Sequence, residues 1–201
     1  MQFAMAAALV ARRVGLSELT DGFVLRPEVQ AIFPLLVESA EHGWWYSVVP
    51  PDGTLLAAHV TDRDRTARGR WALELESTQH TRDRVRSFAL IHLCGCLASI
   101  GYLVPAAGPG WAAVGDAALA HDPLSGQGLV HALLTGMRGA ETLCRGEITI
   151  YSNARARDGA LYLRARRDVY RFESRWAGSD FWRRRREAGD RHKADIGWRA
   201  L

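Results

Sequence analysis

At 201 residues the chain is long enough for one sizeable domain, or one and a half, and for a substantial core. Hydrophobic residues make up 48% and charged residues 24%, which excludes a disordered or fibrous chain. The net charge of +4 is uneven: eleven arginines stand against four acids between Arg155 and Arg186, so the remainder is net negative. Of the cysteines, Cys94 and Cys96 sit in the apolar run 88–103 and Cys144 stands apart. An odd number without a zinc spacing predicts free thiols in a reducing cytoplasm, with Cys94 and Cys96 as small core residues. No run is long enough for a membrane span, and Met1–Val10 lacks the basic start of a signal peptide.

Taken in order, the Ala-rich residues 4–14 predict a helix ending near Gly15. Residues 16–40 are hard to place, and 29–40 fit either a strand or a helix interrupted at Pro34. Residues 43–62 read as a β-hairpin: Trp44-Trp45-Tyr46-Ser47-Val48-Val49 is aromatic and β-branched, Pro51-Asp52-Gly53 is turn chemistry, and Thr54 to Thr61 is again strand-like. Asp62 to Arg70 is a loop or a helix entry. Trp71 to Arg86 predicts a helix with Asp83 and Arg84 exposed. The run 88–103 fits helix or strand, because Gly95 interrupts it. Trp111 to Val114 reads as a short buried strand ending in Gly115-Asp116. Leu129, Leu133, Met137 and Ala140 recur at helical spacing, predicting a helix over 125–143 with that face buried. Leu161, Ala165, Val169, Phe172 and Trp176 mark a second amphipathic helix over 155–176.

The most informative stretch is 110–128, Gly-Trp-Ala-Ala-Val-Gly-Asp-Ala-Ala-Leu-Ala-His-Asp-Pro-Leu-Ser-Gly-Gln-Gly. It sets the Asp116 carboxylate at a strand end and, a few residues on, Gly126 and Gly128 at the mouth of a helix. The first N–H groups of a helix lack internal partners and sit at the positive end of its dipole, so they bind anions. An acid that accepts hydrogen bonds from a polyol, beside such an end, suits a nucleotide-like cofactor. Asp116 could also be a plain capping residue, and Gly126 and Gly128 could simply permit close helix packing.

Gly115-Asp116-Ala117-Ala118, then Asp122-Pro123, then Gly126-Gln127-Gly128, resembles the second FAD-binding signature of the flavoprotein monooxygenase and halogenase superfamily. The resemblance implies that Asp116 binds the ribityl chain, and that Pro123 and the following helix N-terminus approach the flavin ring and pyrophosphate. The segment 43–53 resembles the central hairpin of halogenase-like flavoproteins. It is nearer the subgroup that includes the flavoproteins needed to mature quinone cofactors in amino-acid oxidases. The tail Tyr162-Leu163-x-x-Arg166 … Tyr170 … Glu173-x-Arg175-Trp176 … Phe181-Trp182-x-x-Arg185 resembles that subgroup's C-terminal helical region. The likeness covers most of residues 1–187. Halogenases carry Trp-x-Trp-x-Ile-Pro in the hairpin; here Trp44, Tyr46, Val48 and Val49 stand there, with Pro50 one place late, which weakens a halogenase assignment. A halide site at Gln127-Gly128 is left open.

No Gly-x-Gly-x-x-Gly occurs in the sequence, although that fingerprint normally holds the FAD pyrophosphate. Met1 to Gly15 resembles the helix that follows a later loop of the FAD domain. The expectation is therefore an α/β fold, the C-terminal portion of a larger flavoprotein, truncated or split. Residues 1–20 and 104–150 would be the rest of the FAD-binding domain, 21–103 the substrate-domain sheet, and 151–201 a C-terminal helical region. The implied function is FAD-dependent oxidation of a small molecule or protein side chain, with a flavin reductase or an N-terminal partner chain. The alternative is a non-catalytic remnant or interaction module.

Trp44, Tyr46 and His121 are candidates for a substrate pocket, each also readable as structural. No catalytic residue is identified. His42, His59, His80 and His92 show no metal-ligand spacing, and no Gly-x-Ser-x-Gly occurs. Arg183–Arg186 after Phe181-Trp182 raises nucleic-acid binding, but reads first as a solvated basic helix end.

Overall fold

A computed structural model describes residues 3–13, 35–65 and 68–187. The readings for 16–34 and for the last residues lie outside them. The chain divides into two compact units, Met1–Leu97 with Arg175–Trp182, and Ala98–Ser174 with Arg183–Leu201.

The first unit contains strands β1 (Phe3–Arg13), β2 (Leu35–Ala40), β3 (Gly43–Val48) and β4 (Leu55–Asp62), helices α1 (Arg68–Glu76) and α2 (His80–Val85), and strand β5 (Phe88–Leu97). The five strands form one antiparallel sheet in the order β2-β3-β4-β1-β5. The predicted hairpin is β3–β4. Asp52 shapes its turn by accepting hydrogen bonds from the Thr54 N–H (3.0 Å) and hydroxyl (2.7 Å), and Gly53 adopts φ +77°, a left-handed conformation that glycine takes without a Cβ penalty.

The helix expected over 4–14 is instead β1. Alanine favours a helix locally, but here the backbone pairs on both sides, with β4 and with β5, so partners distant in sequence override the propensity. The ambiguous run 88–103 resolves as strand over β5. It is a sheet edge, and beyond Phe88 its residues are exposed apart from half-buried Leu93. Cys94 and Cys96 are therefore exposed rather than core residues.

The single helix expected over 71–86 is two. The Ser77 and Thr78 hydroxyls donate to the carbonyls of Glu74 (2.6 Å) and Leu75 (2.7 Å), closing α1. Glu38 of β2 then receives the first amides of α2, Gln79 (2.7 Å) and Thr81 (2.7 Å), plus the Thr81 hydroxyl. Burial pushes the Glu38 carboxyl up, but these N–H and O–H donors outweigh it and hold it below the usual carboxylate value. Arg84 is buried, not exposed, and donates to the Ser47 carbonyl at 3.2 Å. The core joins Ala40, Trp45, Leu55, Ala57, Trp71, Leu75 and Phe88. Trp45 and His59, opposite each other on β3 and β4, are fully buried and stack with centroids 4.3 Å apart. The chain returns to this unit at 175–182, where the Trp182 indole donates to the Ala40 carbonyl at 2.8 Å.

The second unit holds the short strands β6 (Gly101–Tyr102), β7 (Ala107–Gly108), β8 (Trp111–Ala112) and β9 (Leu119–Ala120), paired β6–β9 and β7–β8. It also holds helices α3 (Gly128–Arg145) and α4 (Ile148–Phe172). A last helix, α5 (Asp180–Glu187), begins in the first unit and continues in the second. The predicted buried strand at 111–114 is only two residues long, with Trp111 and Val114 exposed, since β8 pairs with β7 alone.

Both long helices exist, but the predicted apolar stripes are not their buried faces. On α3 the buried residues are Thr135, Gly139 and Thr142, whereas Leu129 (75% exposed), Leu133 and Met137 (68%) are open and Ala140 is exposed. A Cβ on Gly139 would stand 2.7 Å from the Val114 Cγ1, so this face must be small to approach the strand. On α4 the buried residues are Tyr151, Arg155, Gly159, Arg166 and Tyr170, while Leu161, Ala165, Val169 and Phe172 (84%) are exposed. Among the described residues no helix is long and apolar enough to cross a membrane.

Candidate functional site

The loop from Gly115 to Gly128 brings most of the sequence candidates together within the second unit. Gly115 takes φ +56°, and its N–H donates to the Thr135 hydroxyl at 2.8 Å, fastening the loop to α3. A 3-10 turn over Gly115–Ala117 follows and leaves Asp116 exposed, while Ala118 and Leu119 behind it are buried. The carboxylate thus faces outward from an anchored turn.

The second half of the loop is built on Asp122. Its carboxylate accepts from the Leu124 N–H at 3.1 Å and caps a 3-10 turn over Pro123–Ser125. The turn ends at Gly126, left-handed at φ +62°, whose N–H donates to the Pro123 carbonyl at 3.2 Å. Space is open where a Cβ of Gly126 or Gly128 would stand. Gln127 and Gly126 are exposed, and Pro123 and Gly128 are half-buried. Gln127 precedes α3 without a side-chain cap, and the first amides of a helix have no partner within the helix.

His121 lies between the two halves. Its ring meets those of His131 and Tyr162 edge-on, each with centroids 4.5 Å apart. Burial pushes the His121 imidazole down, against the pull of the Asp116 carboxylate. His131 is likewise pushed down by burial and then by His121. Both rings are therefore biased toward the neutral form beside Asp116.

Trp44 and Tyr46 belong to the first unit. Trp44 is buried and Tyr46 half-buried, with ring centroids 5.9 Å apart; for Trp44 this fits packing better than a pocket wall. Among the described residues no group of three or more His, Cys, Asp and Glu side chains is arranged to hold a metal ion.

Sequence reasoning missed the role of Asp122. It is buried; its Oδ2 accepts from Arg166 Nε at 2.7 Å and from the Tyr170 hydroxyl at 2.8 Å, and its N–H donates to the Tyr162 hydroxyl at 2.6 Å. The signal was present: Tyr162, Arg166 and Tyr170 recur every four residues, and a buried arginine requires an acid.

The chain has the mixed α/β fold of the flavin-dependent halogenases and related oxygenases. It superposes on the peptidyl tryptophan dihydroxylase QhpG, described as essential for tryptophylquinone cofactor biogenesis, with TM-score 0.71 and 19% identity, over 92% of this chain and 44% of that one. CmlS, a flavin-dependent halogenase, gives TM-score 0.69 and 18% identity over 92% of this chain and 35% of its own. In sequence, LodB of Marinomonas mediterranea, named as a FAD-dependent oxidoreductase, is 28% identical over 160 residues, or 74% of this chain and 43% of LodB. No protein-family model matches the chain. It spans less than half the length of each of these relatives.

Proposed function

We propose that this chain forms the ribityl- and ring-facing part of the cofactor site of a FAD-dependent oxidoreductase of the monooxygenase and halogenase type. The observation that carries the reading is the loop 115–128: an outward carboxylate on an anchored turn, followed by a left-handed glycine and an uncapped helix N-terminus with open space beside it. Those features fit FAD. Asp116 would accept hydrogen bonds from the ribityl hydroxyls, and the turn Pro123–Gly128 with the first amides of α3 would lie against the ring and pyrophosphate. Bound flavin supplies redox chemistry, and the protein's part is to hold and orient it.

A further polypeptide segment with a Gly-x-Gly-x-x-Gly turn, continuous with this chain or separate, would supply the rest of the pyrophosphate site. The short span relative to LodB and QhpG supports this. So do the exposed apolar side chains of α3, which a soluble protein rarely leaves uncovered. The substrate class follows the relatives, a small molecule or a protein side chain, and the free thiols support a cytoplasmic setting. The same open face of α3 favours a second reading, an interaction module that has kept the fold without the chemistry.

Flavin titration decides between them. FAD is added to the chain alone and with the part of LodB that this chain does not match, and bound flavin is read by fluorescence quenching. The oxidoreductase reading expects uptake in at least one of these, and Asp116→Ala should weaken it at least about tenfold, the worth of a charge-assisted hydrogen bond. No uptake in either refutes it.

A further inference from the structure

The motif Tyr162 … Arg166 … Tyr170 has so far no functional role. Its three side chains fall on one face of α4 over two turns, and all three reach Asp122. The Tyr162 hydroxyl takes the Asp122 N–H at 2.6 Å, and Arg166 and Tyr170 donate to its Oδ2 at 2.7 and 2.8 Å. The Arg166 guanidinium also lies over the Tyr170 ring, 4.5 Å from its centroid. Burial and the Asp122 charge push the Tyr170 hydroxyl up in pKa, which keeps it a donor.

Three hydrogen bonds of the following turn lead back to Asp122 or its neighbour, and the Ser125 side chain also bonds Tyr162. Leu124 N–H goes to the Asp122 carboxylate, Ser125 N–H to the Asp122 carbonyl, and Gly126 N–H to the Pro123 carbonyl. Whatever fixes Asp122 therefore fixes the turn. The α4 side chains seize it at both its carboxylate and its backbone N–H, two points that together set its direction as well as its place.

We infer that the Tyr162-Arg166-Tyr170 face of α4 is a positioning clamp, which acts through Asp122 to aim the Pro123–Gly128 turn and the N-terminus of α3 at their ligand. That this ligand is FAD rests on the function proposed above; the clamp itself does not depend on it. The three residues are positioning residues, since they act on the turn, through Asp122 and for Tyr162 also through Ser125, rather than on a ligand.

Hydrogen exchange followed by mass spectrometry tests the clamp on the chain without cofactor. Tyr170→Phe removes one hydroxyl and keeps the ring; Tyr162→Phe does the same at the backbone contact. Each should speed exchange of the amides in 121–128 by about three- to tenfold, the worth of one hydrogen bond, and leave the β3–β4 hairpin and residues 135–142 unchanged. If either variant fails to fold, the other decides. Unchanged exchange at 121–128, or a uniform rise across the chain, overturns the inference. In a second arm, FAD is added and the visible circular dichroism of bound flavin is recorded. Tyr170→Phe should alter the band shape or weaken uptake, and a band and affinity identical to wild type overturn the aiming role. If even the wild type takes up no FAD, the flavin reading fails, and the exchange result alone judges the clamp.

Discussion

His59 makes the stability of the first unit depend on pH in a way that can be worked out. It is fully buried, stacked on Trp45, and neither ring nitrogen makes a hydrogen bond among the described residues. Burial first, and then the charges of His42 and Arg65, push its pKa down to about 3. In the unfolded chain the ring titrates near the ordinary value of about 6.5. Between those two values the unfolded state binds more protons than the folded one, so stability rises with pH and is lost on acidification. Each pH unit below about 6.5 removes about 1.4 kcal/mol, so a shift from pH 7.5 to pH 4.5 should remove about 2–3 kcal/mol. That is a large share of the ~5–15 kcal/mol of a typical domain. Urea unfolding followed by tryptophan fluorescence, with Trp45 against the ring, measures it in wild type and in His59→Leu. Other groups, Glu38 among them, titrate in both proteins and cancel in the difference. The variant should lose this component of the pH slope and stay within about 1 kcal/mol of wild type at pH 7.5, because the leucine removes two unpaired polar atoms. Equal pH slopes in the two proteins would refute the reasoning.

Two neighbouring glycines of α3 should respond oppositely to alanine. Gly139→Ala drives a Cβ against the Val114 Cγ1 and should destabilise by about 1–3 kcal/mol; Gly136→Ala meets open space and should stabilise by about 0.5–1 kcal/mol, both read by urea midpoints. At the buried pair, Asp122→Ala should destabilise by about 3–5 kcal/mol, because it removes the carboxylate that Arg166 and Tyr170 both hydrogen-bond in a buried setting. In a double-mutant cycle, Asp122→Ala with Arg166→Met should cost clearly less than the sum of the single changes; additivity would argue against the pairing. Finally, Leu133→Glu with Met137→Lys on the exposed face of α3 should leave the melting temperature unchanged and reduce association of the isolated chain in sedimentation velocity.

What was legible in the sequence was local. The β3–β4 hairpin rests on adjacent aromatic and β-branched residues around Asp52-Gly53, and the loop 115–128 on glycines whose left-handed geometry is needed where they stand. What was not legible depended on partners far along the chain. β1 is a strand because β4 and β5 flank it, which no alanine propensity could reveal. The helical periods of α3 and α4 were visible, but periodicity identifies a helix without naming the neighbour that covers its apolar side. Here small Thr135, Gly139 and Thr142 face inward on α3, and Tyr151, Arg155, Gly159, Arg166 and Tyr170 on α4, while Leu129, Leu133 and Leu161 face out. The usual rule, apolar face inward, assumes that the polypeptide in hand is the whole environment of the helix. On α3 that rule is inverted, while on α4 the buried Tyr151 and Tyr170 share the inner face with Arg155 and Arg166. The exposed apolar face of α3 and the outward Asp116 on the loop 115–128 are thus the two local features on which the proposed function rests, and both are open to the substitutions described above.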